Sequence, residues 1–85
     1  MITYELAERI GELHTTEMGA ERIKRNLNLG VCDAVKWCQE QVAQCTHLSR
    51  KGKNWYAVTK DAVITINARS LTIITAHPPP LEHEP

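Results

Sequence analysis

The sequence predicts an α+β domain in which two to three N-terminal helices pack on a three- to four-stranded antiparallel β-meander. Three observations carry that prediction. Apolar residues recur at helical spacing up to about residue 45. Beyond residue 46 they alternate with polar ones, the period of a strand with one buried face. The alternating segments are joined by short polar turns, and short connections make neighbouring strands antiparallel. The chain has 85 residues, 42% of them hydrophobic, with ten basic and ten acidic residues. That apolar share and a net charge of zero exclude a disordered chain and fit one small core. A single α+β domain over residues 1–77 and a Pro-rich tail over 78–85 is the expected organisation.

Leu6, Ile10 and Leu13 share one face of a predicted short helix over residues 3–13, with Glu5, Glu8 and Glu12 in water. His14-Thr15-Thr16-Glu17 reads as a linker and cap. A threonine hydroxyl there accepts from the open amides of the next helix, and Glu17 suits its positive end. His14 reads most simply as the C-terminal cap of the first helix. The second helix is expected over residues 17–27, burying Met18, Ile23 and Leu27, and stopping at Asn26-Leu27-Asn28-Leu29-Gly30. Asp33 opens a third helix to about residue 44, with Val35, Cys38, Val42 and Cys45 inward and Trp37 at the edge of the core.

Arg50-Lys51-Gly52-Lys53 reads as a turn, followed by a strand over residues 55–59. Lys60-Asp61 turns the chain into a second strand over 62–67. Asn67-Ala68-Arg69-Ser70 turns it again into a third over 71–76, and residues 47–50 offer a short fourth. Strict alternation puts Leu71, Ile73, Thr75 and His77 on one face of the last strand. That strand is expected to be an exposed edge able to pair with a second copy, limited by Pro78.

No apolar run approaches the ~18 residues of a membrane span, and the N-terminus lacks the basic and apolar regions of a secretory signal. A cytoplasmic protein is therefore expected. Three cysteines, Cys32, Cys38 and Cys45, are an odd number and make no disulfide framework. Cys38 and Cys45 on one helix stand about 10 Å apart at 1.5 Å per residue, beyond disulfide reach. They read as small buried thiols. Together with His47 they match no standard zinc spacing, so neither a metal nor another cofactor is expected.

The zero net charge is a cancellation. Residues 1–21 carry Arg9 against Glu5, Glu8, Glu12, Glu17 and Glu21, a net of −4. Residues 22–69 carry Arg22, Lys24, Arg25, Lys36, Arg50, Lys51, Lys53, Lys60 and Arg69 against Asp33, Glu40 and Asp61, a net of +6. Glu82 and Glu84 add −2 near the end. A basic turn running into adjacent aromatics holds phosphate with its cations and stacks a base on a ring. Arg50, Lys51, Lys53, Trp55 and Tyr56, with Arg22 and Arg25, are thus the candidate residues for RNA or another polyanion. Arg22, Lys24 and Arg25 also complement the negative end of the second helix, which is the plainer account of that trio. Trp55 and Tyr56 point to opposite sides of a strand, so one ring goes to the core and one stays on the sheet surface.

No Gly-rich phosphate loop, nucleophile elbow or HExxH pattern occurs. His77, Thr75 and Lys53 are the candidate catalytic residues. A histidine that moves the 2′-OH proton, beside hydroxyls and a cation that stabilises phosphorane charge, suffices for metal-independent RNA cleavage. The plain alternatives are an idle strand-terminal histidine and threonines present as β-formers.

Several blocks together resemble a family of small bacterial proteins catalogued as a domain of unknown function. They are His14-Thr15-Thr16-Glu17, Gly19 with Glu21-Arg22-Ile23-Lys24-Arg25-Asn26-Leu27, Trp37-Cys38, Gly52-Lys53-Asn54-Trp55-Tyr56, Thr65-Ile66-Asn67 with Ser70, and Thr72-Ile73-Ile74-Thr75-Ala76-His77. The resemblance spans roughly residues 10–77 and leaves out the Pro-rich tail. It implies a bacterial or phage source and a cytoplasmic protein, and it supplies no activity. The order of helices followed by a meander is also similar, at the level of architecture, to the barnase-, colicin- and RelE-like toxin ribonucleases.

Three functions follow as expectations. The first is a small domain that binds RNA or another polyanion, with endoribonuclease activity as its chemistry. The second is a non-enzymatic protein-interaction module such as a phage-encoded inhibitor. The third is a winged-helix DNA binder with Lys60-Asp61 as the wing. It ranks last because the helix that would read the groove, 33–44, carries Lys36 as its one cation.

Overall fold

A computed structural model describes residues 6, 8–30 and 33–79. It shows two α-helices followed by a four-stranded antiparallel sheet, an α+β fold: α1 (Glu17–Leu27), α2 (Ala34–Ala43), β1 (His47–Lys51), β2 (Asn54–Val58), β3 (Val63–Asn67) and β4 (Ile73–His77). The strands lie in the order β1-β2-β3-β4, a meander. Residues 3–5 and 7 of the first predicted helix fall outside the described residues. Its last part is a 3-10 turn, Ile10–Glu12. Leu6 and Leu13 on either side of that turn are buried in the core. Cys32 and residues 80–85 of the tail also lie outside the described residues.

Both helices begin and end where local chemistry dictates. The Thr16 hydroxyl accepts from Gly19 N–H at 2.9 Å and the Asp33 carboxylate from Lys36 N–H at 3.0 Å, each satisfying a first-turn amide. At the end of α1, Asn28 turns left-handed at φ 53°. Its N–H returns to the Arg25 carbonyl and that of Leu29 to the Lys24 carbonyl, the double closure of a Schellman motif. Helix α1 buries Ile23 as expected, but Met18 is 74% exposed rather than inside. The reason is Gly19. That residue is the one turned inward, against Thr15, and its neighbour is rotated about 100° outward.

The sheet turns its inner face to the helices. Leu48, Ala57, Ile64 and Ala76 form one inward row, and Trp55, Ile66 and Ile73 another. Ile23, Cys38 and Val42 complete the core from the helices. The opposite face is uncovered and carries the rows His47, Val58, Val63, His77 and Ser49, Tyr56, Thr65, Thr75. Strict alternation fails on β4. The pairing slips between Thr65 and Ile66, so that Thr65 faces Thr75 while Ile66 faces Ile73. Ile74 is the extra residue of this bulge and is 40% exposed. Ile73 and Ala76 therefore both turn inward, and Thr75 and His77 lie on the face opposite Ile73, not beside it.

The last strand is not a free edge. Ile73 N–H donates to the His14 carbonyl at 2.7 Å and His14 N–H to the Leu71 carbonyl at 3.2 Å, a parallel bridge centred on His14 and Thr72. The Thr15 hydroxyl donates to the Ile73 carbonyl at 2.9 Å, and the Asn26 amide to the Ala76 carbonyl at 3.2 Å. These contacts seat α1 along β4. The expectation that the last strand is an exposed edge is thereby corrected: part of its outer side bonds the chain's own His14 segment and α1. Among the described residues, β1 is the strand with no partner on its outer side.

The turns also follow local rules. Gly52, at φ 58°, supplies the positive φ that a two-residue hairpin turn requires. The Thr59 hydroxyl accepts from Asp61 and Ala62 N–H, both at 3.0 Å, and closes the β2–β3 turn. The Asn67 carboxamide oxygen accepts from Arg69 and Ser70 N–H, both at 2.9 Å, and holds the β3–β4 loop. Leu71, at φ 61°, is strained for a branched side chain, and the burial of that side chain offsets the cost.

Cys38 and Cys45 are free, buried thiols. Burial pushes Cys38 up to about 12 and Cys45 upward as well. Among the described residues no three His, Cys, Asp or Glu side chains gather as metal ligands, and no helix is long and apolar enough to cross a membrane.

Two expectations about stability follow. Gly19→Ala drives a methyl group into the Thr15 hydroxyl, so it should lower stability by about 1–3 kcal/mol in urea melts, while Gly11→Ala, which meets nothing, should not. Cys38 should resist thiol reagents in the native state and react once the chain is denatured. Its folded pKa is raised, so its contribution to stability is complete below the ordinary thiol pKa of 9.0 and is lost as pH climbs toward about 12. The alkaline decline of wild type should therefore be shallower in Cys38→Ala.

Candidate anion-binding site

The β1–β2 turn and the β3–β4 loop come to the same end of the sheet because the register sets Lys51 opposite Asn54 and Asn54 opposite Asn67. Ala68 N–H donates to the Lys53 carbonyl at 2.8 Å and ties the two loops together. Between them lies a cleft of about 400 Å³ lined by Arg50, Gly52, Lys53, Asn67, Ala68 and Arg69. Three of its six lining residues are cations.

Arg50 is the most constrained of the three. Its guanidinium carbon stands 5.3 Å from the centroid of the Trp55 ring, within cation–π range. Its Nε donates to the Gly52 carbonyl at 3.1 Å. With Nε bonded to the Gly52 carbonyl and the guanidinium against the indole, the two terminal NH₂ groups form a fork that makes no hydrogen bond to the described residues. That fork matches two oxygens of a phosphate or carboxylate. The ion pairs among the described residues are Arg9 with Glu12 at 2.9 Å and Lys24 with Glu21 at 4.0 Å. Neither draws on the cleft. Arg50, Lys53 and Arg69 thus raise a local positive potential, and among the described residues none of them forms an ion pair with a carboxylate.

The structure brings together only part of the sequence-derived set. Arg50 and Lys53 meet in the cleft. Lys51 is exposed one residue away, on the other face of β1. Trp55 is 8% exposed and lies under Arg50, so it positions a cation and presents no ring for a base to stack on. Tyr56 is the half-buried ring of the open face, between Ser49 and Thr65, and its hydroxyl accepts from the Asn54 amide at 3.4 Å. Arg22 and Arg25 flank the exposed Met18 on the outward side of α1. The bond from Asn26 to Ala76 puts that end of α1 near the finish of β4, away from the cleft.

Thr75 and His77 share the open face, with Thr75 directly opposite Thr65. His77 is exposed and its Nδ1 bonds the Pro78 carbonyl at 3.0 Å. It lies in the row of Val58 and Val63, four residues along β2 from Asn54. Lys53 precedes Asn54, so five residues, about 17 Å of strand, separate it from the row of His77. These three candidate catalytic residues do not converge. Arg69 is the cleft residue that the sequence-derived set omits. Its signal was its place in a predicted turn within the basic segment, but nothing in one sequence says which turns share an end of the sheet.

Residues 7–77 match the family described as Protein of unknown function (DUF3781). Curated proteins and solved structures provide no match. The matched segment holds α1, α2, all four strands and every residue of the cleft. The chain therefore belongs to the DUF3781 family of proteins of unknown function.

Proposed function

We propose that this chain binds single-stranded RNA, with a backbone phosphate in the Arg50–Lys53–Arg69 cleft. The observation that carries this reading is the trio of cations that form no ion pair among the described residues, one of them held by Trp55 and the Gly52 carbonyl. Phosphate contact supplies most of the affinity in such complexes, and preformed donors lose little entropy on binding. The open sheet face adds a second element of support. Tyr56 stands there among Ser49, Thr65, Thr75 and Asn54, a ring for stacking beside groups that bond base edges and 2′-hydroxyls. Cleft and face adjoin at the Asn54–Asn67 pair. The ribonuclease part of the reading lacks this support, because His77 and Lys53 stand at opposite ends of the sheet. A winged-helix reading lacks it too, since α2 carries Lys36 as its one cation.

A second reading, a protein-interaction module, is favoured by one observation: the outer side of β1 has no partner strand among the described residues. An extended peptide adds to such an edge through backbone hydrogen bonds.

Anisotropy of labelled single-stranded RNA in EDTA and low salt tests the first reading. Arg50→Ala, Lys53→Ala and Arg69→Ala should each weaken binding and lower the salt slope by about one. Tyr56→Ala should cost about 1–3 kcal/mol of affinity. No binding at low salt, or equal binding by the triple alanine variant, would refute it. The second reading expects a captured protein whose binding survives the triple variant and is lost with Leu48→Pro, which removes an N–H on the outer side of β1.

A further inference from the structure

Next to the cleft lies a chain of side chains that RNA binding does not use. The Nδ1 of His14 lies 3.0 Å from the Glu12 carbonyl, and its Nε2 lies 3.1 Å from the Thr72 hydroxyl. The Thr72 hydroxyl is in turn 2.8 Å from that of Ser70. A carbonyl only accepts, so Nδ1 carries the proton in the neutral ring and Nε2 presents a lone pair. Thr72 must then donate to Nε2, and the Ser70 hydroxyl has two acceptors in reach, the Thr72 oxygen at 2.8 Å and the Asn67 carboxamide oxygen at 3.2 Å, of which the nearer takes its proton in the relay. The chain acquires one direction, from Ser70 through Thr72 to His14. The Ser70 oxygen is left with lone pairs, one of which accepts from Thr72 N–H at 3.3 Å. This is a hydroxyl linked to a base whose tautomer a third group orients, the arrangement that activates a nucleophile.

The fold holds each member in place. His14 is pinned by its backbone bridge to β4, and Ser70 by the Asn67 carboxamide, which also lines the cleft. Ser70 is exposed and follows Arg69 directly. Three separate parts of the sequence, His14, Asn67 with Ser70, and Thr72, are gathered here by the bridge to β4 and by the Asn67 turn.

We propose that Ser70 is a nucleophile, with Thr72 as proton relay and His14 as general base, acting on a carboxylic ester whose phosphate-bearing part occupies the Arg50–Lys53–Arg69 cleft. Placement of that phosphate rests on the anion-binding reading; activation of Ser70 does not. Ser70 Oγ forms a bond to the acyl carbon as its proton moves to Thr72 and that of Thr72 moves to His14 Nε2. The carbon–alkoxy bond breaks, and the alkoxide takes a proton back along the same path. Water, activated by His14 through Thr72, then attacks the acyl-serine and returns free Ser70 and a carboxylic acid. A neutral acyl carbon suits this hydroxyl better than an anionic phosphodiester, because the attacking oxygen meets no negative charge.

An uncharged phosphorofluoridate, diisopropyl fluorophosphate, is the probe. Ser70 displaces fluoride, and intact-mass and peptide mass spectrometry read a diisopropylphosphoryl adduct on that residue. The adduct should form on wild type and vanish in Ser70→Ala. His14→Gln and Thr72→Val should slow its formation about 100-fold. Thr72→Ser, which restores a hydroxyl, should recover most of the rate, an outcome that a merely structural role for Thr72 would not give. Circular dichroism melts confirm that each variant folds. No adduct, an adduct elsewhere, or a rate indifferent to His14→Gln and Thr72→Val would overturn the proposal. The probe carries no negative charge, so labelling and RNA anisotropy fail or succeed independently.

Discussion

The bridge between the segment at His14 and the outer side of β4 organises the rest of the molecule. Backbone hydrogen bonds in both directions, the Thr15 hydroxyl and the Asn26 amide satisfy that edge. Gly19 lets the start of α1 approach Thr15 closely enough for the bridge to form. Once α1 lies along β4, Ile23 enters the core, and α2 adds Cys38 and Val42 to it. One face of the sheet is then covered and the other is left to solvent. An unpaired backbone edge is costly to bury and hazardous to expose, and here the fold closes one of its two edges from within.

The cleft follows from register rather than from any single residue. A meander with five-residue strands places its first and third connections at one end, so Gly52-Lys53 and Ala68-Arg69 become neighbours. Cations from both connections then stand together, with no carboxylate among the described residues lining the cleft. Such mutual repulsion is destabilising in the empty protein and favourable toward an anion. Trp55 shows how the core contributes: its ring is nearly buried and yet fixes a guanidinium at the surface. The same end of the sheet carries the Ser70–Thr72–His14 chain, with Asn67 common to both.

Much of the fold was legible from local chemistry. Thr16 and Asp33 mark helix starts because their oxygens meet open amides, and Asn28 marks a stop because it tolerates a left-handed backbone. The alternation from residue 47 onward identified all four strands, including the short β1. Errors arose where a long-range contact overrode a local period. Met18 fits an apolar helical stripe, but Gly19 takes the inward position. Thr75 was assigned to the face of Ile73 by counting, and the bulge at Ile74 inserts one residue and reverses the assignment.

The sequence by itself determined the two α-helices and the strands, their boundaries to within a residue or two, and the neutral total with its basic middle. These depend on neighbours a few positions apart, through caps, turns and side-chain period. Only the tertiary structure decided that Arg69 joins Arg50 and Lys53, that Trp55 supports a cation instead of a base, and that His77 lies far from Lys53. It alone carried His14 across 58 positions to Thr72. Each of those outcomes is set by strand register and by the edge that α1 covers, and register is a property of paired strands that no single segment contains.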